Sequence, residues 1–194
     1  MDETPKEARE SMGRAFLREV FDFVRILILA AVIVIPIRYF IAQPFIVKGA
    51  SMEPNFQERD YLIIDELTYY FRNPARGEVV VFRYPLEPSE YFIKRVIGLP
   101  GETVVIRGGG VYVEKTPDAE PMAVPEAYLP KGLETAPDEE KTLGPDEYFV
   151  MGDNRAYSLD SRKWGVLNRS FITGRAIFLA WPLPDAGIIV RPQY

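Results

Sequence analysis

The chain of 194 residues contains no cysteine and no histidine. The first absence excludes disulfides, thiolate zinc sites and a cysteine nucleophile. The second excludes every Ser-His-Asp triad, every imidazole metal site and any histidine general base. A hydrolase built from this chain must take its base from Lys, Asp, Glu or Tyr. An excess of positive charge is also missing: Lys and Arg total 23 against 28 Asp and Glu, a net charge of -5, so nothing points to a nucleic-acid partner. No metal or other cofactor is expected. Apolar residues make up 47%, near the ordinary share, which excludes global disorder. The length suits one domain, alone or with an appendage.

Acidic charge is concentrated in one stretch. Residues 114–147 hold ten acids against three lysines, together with six prolines from Pro117 to Pro145. The stretch is expected to be an extended, solvated insert outside the core.

The N-terminal region is apolar. Between Val20 and Ala42 the only charged residues are Asp22, Arg25 and Arg38, and Ile26 to Ile37 is uninterrupted. A helix from Phe23 to Ala42 would be about 20 residues and ~30 Å long, the thickness of the hydrocarbon layer. Arg25 and Arg38 would snorkel toward the two interfaces, with Tyr39 and Phe40 as interfacial rings. Cleavage after Ala42 would need a small residue where Phe40 stands, so an uncleaved anchor is expected. Lys6, Arg9, Arg14, Arg18 and Arg25 precede or open the run, while Arg38 and Lys48 lie at its far end. Positive-inside counting therefore expects one span of the cytoplasmic membrane. Residues 1–22 form a cytoplasmic tail, 23–42 the anchor, and 43–194 an extracytoplasmic domain.

Beyond residue 42 the pattern turns to short β-branched and aromatic runs at 60–65, 78–83, 91–97, 103–107, 111–113, 148–151, 174–181 and 188–191. Gly108-Gly109-Gly110 reads as a hairpin turn, since no helix pattern follows for a phosphate cradle. No βαβ alternation occurs, so an antiparallel, mostly β domain is expected.

Within this domain, strand alternation puts Phe92, Lys94 and Val96 on one face. If that face is core, the amine is desolvated and its pKa falls toward the range useful to a base. If the strand is an edge, Lys94 points to solvent. Ser51, between Gly49-Ala50 and Met52-Glu53-Pro54, is a turn residue or a nucleophile; as a nucleophile in this chain it needs an amine such as Lys94. The segment Gly152-Asp-Asn-Arg-Ala-Tyr-Ser-Leu-Asp-Ser-Arg162 reads as a polar loop closed by the ion pairs Asp153–Arg155 and Asp160–Arg162.

Four segments, in order and after one N-terminal anchor, resemble the type I signal peptidases, membrane-anchored serine proteases with a Ser-Lys dyad. They are Ser51-Met-Glu-Pro54, Arg76-Gly-Glu-Val-Val-Val-Phe82, Tyr91-Phe-Ile-Lys-Arg-Val-Ile-Gly-Leu-Pro-Gly101, and Gly152-Asp-Asn-Arg with Ser158 and Asp160-Ser-Arg162. The resemblance covers about residues 23–182 outside the acidic insert. It implies an antiparallel β catalytic domain of signal-peptidase/LexA-like type behind one transmembrane helix. It implies removal of signal peptides from exported preproteins after small residues, A-x-A, at the bilayer and near the secretion translocon. Ser51 would be the nucleophile and Lys94 the base. Ser158 would orient the amine, Asp160 and Arg162 would form a supporting pair, and the Ser51 N–H would face the oxyanion. Phe45, Val47, Met52, Phe56 and Ile93 would shape the small apolar pocket.

Several positions depart from the family's pattern. Gly49 stands where one branch has a serine oxyanion donor, Asn55 where threonine is usual, Phe56 where leucine is usual and Phe92 where tyrosine is common. Glu78 and Glu102 replace aspartates. Two other readings compete. A self-cleaving repressor of the LexA kind would need an upstream helix-turn-helix, where this chain has the apolar run. A catalytically inactive, membrane-tethered binding domain would be told apart by peptide cleavage.

Overall fold

The computed structural model describes residues 5–36, 43–116 and 119–193, with side chains from residue 18 onward. It divides into two compact units, residues 1–41 and 42–194.

In the first unit, helix α1 spans Pro5–Pro36. Proline at the opening position suits a helix start, because its missing N–H has no partner there anyway. The expected anchor is not confirmed: no helix among the described residues is long and apolar enough to cross a membrane. The physical reason is visible in the sequence of α1. Glu19, Asp22 and Arg25 interrupt its middle, and the uncharged turns from Ile26 to Pro36 rise only about 16 Å. The remainder of the expected span, 37–42 with Arg38, Tyr39 and Phe40, lies outside the described residues.

The second unit is built on antiparallel strands, as the β-rich pattern predicts. Strands β1 Gln43–Ile46, β2 Tyr61–Asp65, β3 Val79–Tyr84 and β4 Glu87–Gly98 come first. Strands β5 Thr103–Arg107, β6 Gly110–Glu114, β7 Met122–Ala123 and β8 Glu139–Thr142 follow. Strands β9 Glu147–Met151, β10 Leu167–Asn168, β11 Ile172–Trp181 and β12 Gly187–Ile188 close the chain. The larger sheet runs β1-β2-β11-β3-β4-β9-β10, with β12 added on β11; the smaller runs β7-β6-β5-β8.

Strand β4 is central, which decides the fate of Lys94. It pairs with β3, Val80 opposite Lys94, and with β9, Arg95 opposite Met151. Alternation sends Ile93 into a cluster with Val47, Met52, Leu62, Val79 and Val81. Val96 goes to the other face, with Val80, Phe82, Tyr148 and Val150, and Phe92 packs against the same cluster. Lys94 shares that second face and is only 3% exposed, so it is not an edge lysine. The glycine run makes the expected hairpin: Arg107 pairs with Gly110, and Gly108 and Gly109 both take positive φ, as a two-residue primed turn requires.

The 114–147 stretch differs from its expected solvated form. It supplies β7 and β8, which flank the smaller sheet, and it buries Val124, Thr135 and Leu143. Both residues of β7 are exposed, and β8, Glu-Glu-Lys-Thr, alternates half-buried with exposed. The buried Val124 and Leu143 lie just beyond these strands, single apolar positions that carry no periodic signal among the prolines.

Candidate active site

Ser51 sits in a tight turn after β1. Glu53 N–H donates to the Ala50 carbonyl at 3.2 Å and Phe56 N–H to the Met52 carbonyl at 3.0 Å, while Met52 is fully buried beneath. Ser51 Oγ lies 2.7 Å from Lys94 Nζ, which also donates to the Ile93 carbonyl at 2.8 Å. The Phe92 ring lies 5.3 Å from the amine. Burial lowers the Lys94 pKa to about 8, against a weaker opposing pull from the carboxylates of Asp160 and Asp153. An amine in that range is neutral often enough near neutral pH to accept a proton, and it touches the hydroxyl that would give one.

The loop after β9 holds this pair in place. Asn154 donates from its N–H to the Ser51 carbonyl at 3.0 Å and from its side chain to the Ala50 carbonyl at 3.0 Å. Gly152 lies so close that a Cβ there would meet Ser158 Oγ at 2.3 Å and the Ser51 carbonyl oxygen at 2.4 Å. Gly152 N–H donates to Asp160 Oδ2 at 3.0 Å. Asp160 also caps the single helical turn Ser161–Trp164 and takes Arg162 Nε and Nη2 at 2.9 and 2.7 Å. Burial opposes ionisation of Asp160, but Arg162, Ser158 and the Gly152 N–H outweigh it and hold the carboxyl below its ordinary range. Ser158 is 9% exposed, and its hydroxyl lies against the Asp160 carboxylate.

Asp153 pairs differently from the sequence expectation. Its carboxylate takes Arg95 Nε at 2.8 Å and Nη2 at 2.6 Å, a bidentate pair buried on both sides, and it accepts from Asn55 Nδ2 at 2.8 Å. Arg155 turns away to Glu126. A side chain two residues off in a loop points where the backbone sends it, so sequence proximity was a poor guide. Arg95 and Asn55 carried no signal of their own, because their partner is far away in the chain.

A cleft of about 600 Å³ opens at Ser51, lined by Phe45, Lys48, Tyr91, Phe92 and Ile93 among others. Of the five expected pocket residues, Phe45 and Ile93 line it. Val47, Met52 and Phe56 are 1%, 0% and 5% exposed and form the packed layer behind it. Tyr91 and Lys48 were not anticipated. A separate cavity of about 560 Å³, between Arg72, Glu78, Arg175 and Arg191, includes neither Ser51 nor Lys94. Among the described residues no cluster of three metal-ligating acids occurs.

A hydroxyl set against a buried, near-neutral amine, on an antiparallel β scaffold without histidine, has the construction of a serine hydrolase with a lysine partner. The comparisons with known proteins narrow that class. Residues 20–181 match the family model for signal peptidase, peptidase S26. The chain is 40% identical over 170 residues to a probable signal peptidase I-2 of Synechocystis, covering 84% of this chain and 74% of that one. It is 37% identical to a signal peptidase I of Leptolyngbya laminosa, over 84% and 81% of the two chains. It is 34% identical to a signal peptidase I of Bacillus amyloliquefaciens, over 86% and 90%. This chain belongs to the signal peptidase family, peptidase S26.

Proposed function

We propose that the chain removes signal peptides from exported preproteins, with Ser51 as nucleophile and Lys94 as its general base. The observation that carries the assignment is the 2.7 Å contact between Ser51 Oγ and a Lys94 amine 3% exposed. Ser51 Oγ attacks the scissile carbonyl carbon while Lys94 Nζ takes the hydroxyl proton. Lys94 then gives that proton to the departing amine, leaving an acyl ester on Ser51. A water, deprotonated by Lys94, attacks the ester; the acid product leaves and the proton returns to Ser51 Oγ. The Ser51 N–H, which takes no acceptor among the described residues, is placed to donate to the oxyanion. Ser158, buried beside Asp160, is the hydroxyl that would orient the Lys94 amine. Asp160 with Arg162 fixes the loop that brings it there.

Phe45 and Ile93 in the cleft, backed by the rigid layer of Val47, Met52 and Phe56, favour small side chains at the cleavage site and exclude large ones by clash. The apolar stretch 23–42 associates the enzyme with the cytoplasmic membrane as a single N-in span, near the translocon that delivers its substrates. Ser51 lies nine residues past Ala42, a reach of at most ~30 Å when extended, so cleavage occurs at the bilayer surface.

The test is cleavage of an Ala-x-Ala preprotein by wild type, Ser51→Ala, Lys94→Ala and the double variant. Each single change should remove activity by ~10³-fold or more, and the double should be no worse, because the two groups act as one unit. Retention of more than a few per cent by Lys94→Ala would sink the dyad.

A further inference from the structure

We infer that residues 124–136, inside the acidic insert, form a strap that positions the catalytic loop, with Glu126 and Tyr128 as its positioning residues. The inference rests on the Ser51–Lys94 reading above and concerns how that pair is held.

The ends of the strap are fixed to the β5–β6 hairpin: Val124 N–H donates to the Val111 carbonyl at 2.9 Å, and Thr135 N–H to the Gly109 carbonyl at 2.9 Å. Between these points the strap touches both halves of the site. Glu126 takes both terminal nitrogens of Arg155, with Oε2 3.1 Å from Nη1, and Thr135 Oγ1 accepts from Nη1 as well. Arg155 is 4% exposed, and its Nε donates to the Gly152 carbonyl at 3.1 Å. Gly152 is the residue wedged between the Ser51 carbonyl and Ser158 Oγ. Tyr128 works on the other half. Its ring lies 4.0 Å from the Arg95 guanidinium, the partner of Asp153, and its carbonyl accepts from Asn55 Nδ2 at 2.9 Å. Asn55 stands at the end of the nucleophile turn. The Ala136 carbonyl accepts from Arg162 Nη1 at 2.8 Å.

Three arginines of the catalytic segments thus have an outer face closed by this one stretch. A buried guanidinium is held by fixed acceptors on each side, and losing one lets it re-aim. When Arg155 re-aims, the Gly152 carbonyl is released, and the spacing of Ser51, Ser158 and Lys94 loosens. Misplacement of about 1 Å at a catalytic pair costs on the order of 10²-fold.

The test uses the full chain in detergent, with each variant assayed at least ~15 °C below its own melting point. One arm measures kcat and KM on an Ala-x-Ala peptide. The other measures the rate at which a small sulfonyl fluoride labels Ser51, which needs no peptide binding. Glu126→Gln should lower kcat and the labelling rate together by roughly 10- to 100-fold with KM within about twofold, and Glu126→Asp should recover part of the loss. If Glu126→Gln does not fold, Tyr128→Ala, which keeps the backbone carbonyl, should give the same split. Wild-type kcat and labelling in folded Glu126→Gln, or in folded Tyr128→Ala, overturns the strap. Absence of peptide cleavage by wild type counts against the peptidase reading, while the labelling arm still decides the strap.

Discussion

At the scale of single residues, Lys94 carries the sharpest consequence. Its folded pKa is lowered by burial to about 8, from an unfolded value of 10.5. Between those values the unfolded chain binds the proton and the folded one does not, so stability rises with pH across that window. Below about 8 the full cost of the buried charge applies, roughly 3 kcal/mol. Two outcomes follow. The acid limb of kcat/KM should have its midpoint near pH 8, far above that of a carboxylate base. Lys94→Met should be inactive yet melt at or above the wild type at pH 7, with the gap narrowing between pH 8 and 10.5. A Lys94→Met protein that melts well below wild type at pH 7 would show the amine to be paired and charged. The lysine's neighbours on its own face, Phe92 and Val96, were legible from alternation alone. Its second contact, the Ile93 carbonyl, and the distant carboxylates of Asp153 and Asp160 were not.

At the scale of elements, the loop from Gly152 to Arg162 matters most. It joins β9 to the short turn capped by Asp160, and it meets the Ser51 turn through Asn154 and the close approach of Gly152. Gly152→Ala places a methyl group where two oxygens already stand. Overpacking of this kind costs about 1–3 kcal/mol, a drop of roughly 2–10 °C in melting temperature. Activity should suffer more, by ~100-fold in kcat, because the atoms that must give way are the Ser51 carbonyl and Ser158 Oγ. Calorimetry and peptide kinetics on the same preparation check this; a variant with lost stability and full kcat contradicts it. The long strands were readable because β-branched runs such as Val79–Phe82 and Thr103–Ile106 are dense and well bounded. The two-residue strands β7 and β10 and the charged β8 have no such density, and their pairing comes from neighbours; the run expected at 188–191 forms a strand only at Gly187–Ile188.

At the scale of the whole molecule, the charge asymmetry around the 23–42 stretch predicts an N-in arrangement with residues 43–194 outside. Lys131 lies in an exposed part of the strap, between Pro130 and Gly132, and offers a cleavage site. Trypsin added to the outside of spheroplasts should cut after Lys131. Digestion there only after the membrane is opened would contradict the orientation. Among the described residues no helix is long and apolar enough to span, so carbonate-resistant membrane association of the full chain, and its loss on removal of residues 1–42, is the companion measurement.

The sequence by itself determined the chemistry on offer. Without histidine or cysteine, a base had to come from Lys, Asp, Glu or Tyr. Alternation grouped Lys94 with Phe92 and Val96 without deciding whether that face was core, and the resemblance singled out Ser51 and Lys94. Tertiary structure decided how they meet. Ser51 and Lys94 are 43 residues apart, and Arg95 and Asp153 are 58 apart. Local pattern carries propensity and face, but no information on which distant loop closes over which turn. The acidic insert shows the limit most plainly. Its prolines and charges describe a solvated chain, yet one carboxylate and one aromatic ring in it find buried guanidinium groups, and that pairing exists only after the sheets are assembled.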